Sequence, residues 1–319
     1  MKDLTGEKKE HYIALSLMIL TVVFWGLSII STKIVLAQIP PVTIGLFRYS
    51  IASAALIPIA LYTNSLKRIT WKDLVAVIIT SLLGIVLYFI FENNALLYTT
   101  ASNASMLVAA MPIFAIIIEM LFFQQRANWR IAACIMISII GVYFVVTGDG
   151  HLDFSSSRFY GNLLMMGSMI CWVAYTFLNK YLDGEHSGIS IITYQSLASI
   201  FLFVPFVLPE IERWPEISSL TPLTLENLVF LGIFCSAFEY LFYIYAVKRL
   251  GATVSATFLN LIPVVTVISG YVFLQEKLLW IEVVGMCLIM ASIYVLNRVT
   301  VRAMAKLGAE EKPQLPAGR

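Results

Sequence analysis

Residues Trp25–Lys33 read WGLSIISTK, and residues Trp172–Lys180 read WVAYTFLNK. Each places a lysine eight residues after a tryptophan, late in a long apolar run. The same charge in the same apolar slot, 147 residues apart, is the mark of an internal repeat. The register extends beyond these two stretches. Phe47 to Tyr194 and Pro58 to Pro205 keep the step of 147. Pro112 to Pro263, Gln124 to Gln275, Trp129 to Trp280 and Tyr143 to Tyr294 keep a step of 151. The four extra residues fit an acidic loop between the seventh and eighth apolar runs.

Those runs set the solvent. Of 319 residues, 60% are hydrophobic and 13% charged, against roughly half and a quarter in soluble domains. Met18–Thr32, Leu74–Phe91, Phe159–Asn179 and Leu250–Gln275 carry no charge at all. A helix needs about 20 residues, at ~1.5 Å each, to cross ~30 Å of hydrocarbon. The pattern predicts ten such helices, over 12–37, 42–63, 73–98, 102–124, 129–147, 159–182, 188–209, 225–249, 253–275 and 279–300. The runs are continuous rather than alternating, which excludes a membrane β-barrel. The first run is long enough to span and ends in Lys33, so it reads as a retained helix rather than a cleaved leader.

Charge gives the threading. Of 21 Lys and Arg, 16 fall at one set of helix ends and only Arg158, Arg213 and Lys277 at the other, with Lys33 and Arg48 inside spans. Basic loops stay in the cytoplasm, so both termini are expected there, in a multi-pass protein of the cytoplasmic membrane. Each half holds five spans. Five is odd, so the second half starts from the opposite side and the halves are inverted copies. The expected fold is therefore an all-α membrane protein of ten transmembrane helices in two inverted five-helix repeats. Its parts are a cytoplasmic N-terminus (1–11), a first repeat (12–147), an external linker (148–158), a second repeat (159–300) and a disordered cytoplasmic tail (301–319).

Two segments carry a family resemblance: SNASMLVAAMPIFAIIIEMLFFQQR (102–126) and TVSATFLNLIPVVTVISGYVFLQEK (253–277). With the WG…K first helix they resemble the EamA-type branch of the drug/metabolite transporter superfamily, across 12–300. The second copy has the Glu-Lys ending of that family (Glu276, Lys277), whereas the first carries Gln125 in the acidic position. The resemblance implies a ten-helix exporter of amino acids, sugars or other metabolites.

An ionisable residue inside a span must face a cavity or a partner. Arg48 lies about 9 Å into the second span, placed to bind a carboxylate or phosphate with Glu92 as its resting counter-ion. Its repeat equivalent is the neutral Gln195. Lys33 reads instead as a side chain reaching to the interface. Glu239 falls mid-span between Ser236 and Tyr243, a position from which an acid could bind substrate or exchange a proton. Glu119 shares a face with Ser105 and Pro112. Asn260, on a face with Thr253 and Thr257, and the aromatic Trp25, Trp172 and Tyr243 complete the expected substrate wall. Pro112 and Pro263 interrupt equivalent helices and are the expected hinges.

No HExxH, Ser/His/Asp set or P-loop occurs, and the four cysteines lie within spans, without metal-ligand spacing. A membrane enzyme is thus disfavoured, and no cofactor, metal or nucleic acid is expected. The expected function is a secondary, non-ATP transporter of small polar metabolites, exporting amino acids or related compounds by alternating access. A phosphorylated-metabolite or sugar exchanger is the alternative. The partners expected are a small-molecule substrate and the lipid bilayer, with the protein monomeric or homodimeric.

Overall fold

A computed structural model describes residues 4–66, 68–123, 129–147, 155–183 and 186–310. Among them every regular element is helical. The chain runs through α1 (Leu4–Val35), α2 (Pro41–Tyr62) and α3 (Trp71–Tyr98). Next come α4, built of Ala101–Ala109 and Met111–Phe123, then α5 (Trp129–Thr147) and α6 (Ser157–Asp183). Then follow α7 (Gly188–Val207), α8 (Pro222–Leu250), α9 in two pieces (Ala252–Leu259 and Ile262–Leu274), and α10 (Trp280–Glu310). Threonine and serine open several of them. Thr70, Thr100, Ser187 and Thr221 each accept a bond from a backbone N–H in the first turn, satisfying a donor that the helix itself leaves free.

Among the described residues eight helices are long and apolar enough to cross a membrane. The other two expected spans are represented by the apolar stretches Ile262–Leu274, in the broken α9, and Trp280–Leu296, in the first part of α10. Helix α9 breaks at Asn260–Leu261, so Asn260 sits in the break rather than within a continuous helix. The equivalent break in α4 falls at Ala110. Pro112 and Pro263 then occupy the first turn of each second piece, where a missing N–H leaves no bond unmade. At the C-terminus the chain departs from the expected tail. Helix α10 continues to Glu310, because VRAMAKLGAE is rich in strong helix formers; 311–319 lie outside the described residues.

The helix neighbours form a self-consistent set. Helix α1 packs on α8 and α9; α6 packs on α3 and α4. Helix α2 packs on α7 and α8; α7 packs on α2 and α3. Helices α4 and α9 meet each other, as do α5 and α10. Exchanging the first five helices for the last five leaves this pattern unchanged. The α5–α10 contact is tight because both sides carry glycine. A Cβ on Gly141 would lie 2.7 Å from the Gly285 carbonyl oxygen, so the backbones touch as small residues permit between membrane helices.

One end of the bundle is laced together. Gln38 takes Thr221 and Thr224 and donates to the Ser219 carbonyl. The Glu210 carboxylate accepts from the Val42 and Thr43 amides at the start of α2. Arg158 at the head of α6 pairs with Glu282 at the head of α10. Asn162 joins Thr99, Asn103 and the Val146 carbonyl. The C-terminal ends of α1, α3, α5, α7 and α9 therefore gather at this end, and the helices alternate in direction. At the opposite end Asp73 meets His186 at 3.2 Å and Glu10 meets Arg249 at 2.7 Å.

Candidate functional site: a buried arginine between two π turns

Helices α3 and α8 each contain one π-helical turn, Leu82–Leu87 and Ile233–Phe238. The two are separated by the same step of 151 that relates the later parts of the sequence repeat. A π turn shifts the backbone bonding by one residue and leaves a carbonyl available. In α8 a carbonyl within the turn meets Arg48 of α2. Arg48 Nη2 donates to the Cys235 carbonyl at 2.6 Å, and Nε donates to Ser236 Oγ at 2.5 Å. Ser236 Oγ in turn donates to the Leu231 carbonyl, five residues back. The guanidinium carbon stands 4.4 Å from the centre of the Phe89 ring, in range of a cation–π contact. Arg48 is 3% exposed, a buried cation held by a fork of bonds and an aromatic face.

The two nearby acids differ. Glu92 accepts from Tyr88 Oη at 3.1 Å. The expected Arg48–Glu92 ion pair does not form within 4 Å, since the guanidinium turns to α8 instead. Glu239, at the end of the α8 π turn, is fully buried, and neither of its oxygens has a hydrogen-bond partner among the described residues. Gln195, in the slot equivalent to Arg48, is also buried. Its amide donates to Thr80 Oγ1 at 2.9 Å and Asn179 Oδ1 at 2.7 Å, and its oxygen accepts from Tyr175 at 3.4 Å. Aromatic rings wall both sides. Trp25 lies 6.2 Å from Tyr240 and 5.6 Å from Tyr243. Its repeat partner Trp172 lies 5.3 Å from Tyr88 and 5.2 Å from Tyr175.

Comparison with known proteins gives the family. A profile of the EamA-like transporter family matches residues 12–147 and again 159–298. The chain belongs to the EamA-like transporter family. An Archaeoglobus fulgidus protein named as an uncharacterized transporter is 30% identical over 88% of this EamA-like chain and 96% of its own. A Streptantibioticus cattleyicolor protein named as a probable terminal-alkyne amino-acid exporter is 24% identical, over 95% and 97% respectively. A solved crystal structure shares the fold, with a TM-score of 0.61 at 18% identity, covering 91% of this chain and 98% of that one. The EamA-like protein is accordingly a multi-pass membrane protein.

Within this EamA-like fold the residues singled out by sequence separate into groups. Arg48 gathers with Phe89, Ser236 and Tyr49 around the α8 π turn. Trp25 and Tyr243 stand together on one side, and Trp172 and Gln195 converge on Tyr175 on the other. Asn260 sits in the α9 break. The side chains of Glu119, Thr253, Thr257 and Lys180 lie outside the described residues. Lys33 does not reach for the interface. It donates to the Thr99 carbonyl at the C-terminal end of α3 and lies 3.8 Å from Glu276. Glu276 itself accepts from the Ala101 and Ser102 amides at 2.7 and 2.9 Å, capping α4 as an anion at a helix N-terminus should. Sequence reasoning missed the Cys235 carbonyl, Phe89, Tyr88 and Thr80. Only the Tyr88/Glu92 spacing of four carried a readable signal.

Proposed function

We propose that this EamA-like protein is a secondary transporter exporting amino acids or related small polar compounds by alternating access between two inverted five-helix halves. One observation carries the reading. The main helix contacts are unchanged by exchanging the halves, and a charged, aromatic-walled cluster sits where α2 packs between the exchange partners α3 and α8. Two such halves can trade conformations at little energetic difference, exposing a central site to each side in turn. On this reading both termini are cytoplasmic, the membrane is the cytoplasmic one, and the working unit is a monomer or homodimer. Arg48 binds the anionic group of the substrate, Glu239, Glu92, Gln195 and Asn260 supply polar contacts, and Trp25, Trp172 and Tyr243 wall it. The breaks before Pro112 and Pro263 serve as hinges. The amino-acid class is supported by the name of the Streptantibioticus relative.

The test is reconstitution in liposomes loaded with unlabelled amino acids. Purified protein should catalyse counterflow of labelled amino acids without ATP. Counterflow absent for amino acids but present for sugar phosphates would transfer the substrate assignment to the exchanger alternative. Turnover of a covalent bond in place of movement would overturn transport itself.

A further inference from the structure

Behind each π turn stand a tyrosine and a glutamate four residues apart, in opposite order. Helix α3 has Tyr88 then Glu92; α8, 151 residues later, has Glu239 then Tyr243. The swap leaves the two acids in different states. Glu92 is satisfied by Tyr88 at 3.1 Å. Glu239 is 0% exposed, and both its oxygens lack a hydrogen bond among the described residues. Arg48 acts on it only through space, with no ion pair closed between them. Its fork is engaged one turn earlier, at Cys235 and Ser236, and no Arg48–Glu239 contact falls within 4 Å. The indole N–H of Trp25 is the donor turned to this carboxylate, short of a hydrogen bond of normal length and angle, and Tyr240 and Tyr243 stand against that indole at 6.2 and 5.6 Å.

A buried carboxylate without a closed ion pair or hydrogen bond is costly for a fold to hold. Beside it Trp25, Tyr240 and Tyr243 form an aromatic cluster, and aromatic rings attract cations. We propose that Glu239 binds the ammonium group of the solute, with the Trp25, Tyr240 and Tyr243 rings around that group and the apolar body attached to it. The class is an organic ammonium ion bearing an apolar body. Recognition is lopsided between the halves, because the α3 acid already has its donor. The assignment rests on the transport reading above for its solute, but binding can be measured separately from movement.

The experiment uses the full chain in detergent and three probes: L-leucinamide, which carries only the ammonium charge, L-leucine, which carries both charges, and N-acetyl-L-leucine, which carries only the carboxylate. Thermal-shift titration should show binding of the first two and not the third. Glu239→Gln should weaken leucinamide at least about thirtyfold, as loss of a buried charge partner does. Glu239→Asp, which keeps the charge, should restore most of the affinity, and Glu226→Gln, at an exposed position, should change nothing. Undiminished leucinamide binding by Glu239→Gln, equal binding of the acetylated probe, or no binding of either ammonium probe overturns the assignment. Liposome counterflow separates the two readings. Leucine movement by the wild type, with leucinamide binding indifferent to Glu239→Gln, sinks this assignment alone. Glu239-dependent binding without movement sinks transport alone.

Discussion

At the residue scale, Arg48 shows why a buried cation is specific. Its two bonds run in different directions from one planar group while its face lies over Phe89. A lysine can supply the charge but not the fork or the stack. Arg48→Lys should therefore lower both melting temperature and transport, the latter by about tenfold or more, roughly the 1.5–3 kcal/mol of charged hydrogen bonding removed. Wild-type counterflow by Arg48→Lys would show that only charge matters there. Glu276 makes a different case. Its carboxylate accepts two amides and the Ser102 hydroxyl. Glu276→Gln should destabilise the protein by about 1–2 kcal/mol, the scale of a lost helix cap, read as a lower melting temperature without change in substrate selectivity.

At the element scale, the two π turns organise the middle of the protein. The α3 turn is packed against α6 through Gly84. A Cβ there would lie 2.3 Å from Tyr175 Cδ2, so Gly84→Ala has to push the ring aside. Its melting temperature should fall, and adding Tyr175→Ala should recover part of the loss, because contacting sites are not additive. A simple sum of the two losses would place the strain elsewhere. The broken helices act differently. Pro112 and Pro263 open helical pieces, where proline suits the geometry. Pro112→Ala and Pro263→Ala should change stability by less than about 1 kcal/mol yet slow counterflow several-fold by stiffening the breaks. Unaltered rates in both would remove the hinge role.

At the scale of the whole molecule, five connections meet at one end of the bundle, so labelling can test the threading. Single cysteines at Arg68 and Lys248, both exposed, should react from the same side of the membrane. A cysteine at Ser218, exposed at the opposite end, should react only from the other side. Reaction of the Arg68 and Lys248 positions from different sides would break the ten-helix threading. The ends themselves show how much was readable in advance. Helix order followed from charge-free runs, while the start of α1 at Leu4, the breaks in α4 and α9 and the extension of α10 moved boundaries. The site was readable in parts. Arg48, Glu239 and the two tryptophans stand out as polar or bulky groups at repeated positions. Their partners do not, because Arg48 is answered from 187 and 188 residues away.

Sequence by itself determined the solvent, the helices and the duplication, because each is written in local composition or in a constant step along the chain. Tertiary structure alone decided what each buried charge meets. The carbonyl that holds Arg48 is a backbone atom within a π turn, and backbone atoms carry no side-chain signature. The state of the Glu239 carboxylate is likewise a relation between helices: the acid is visible in the chain, and its lack of a closed ion pair exists only once α1, α2 and α8 have packed.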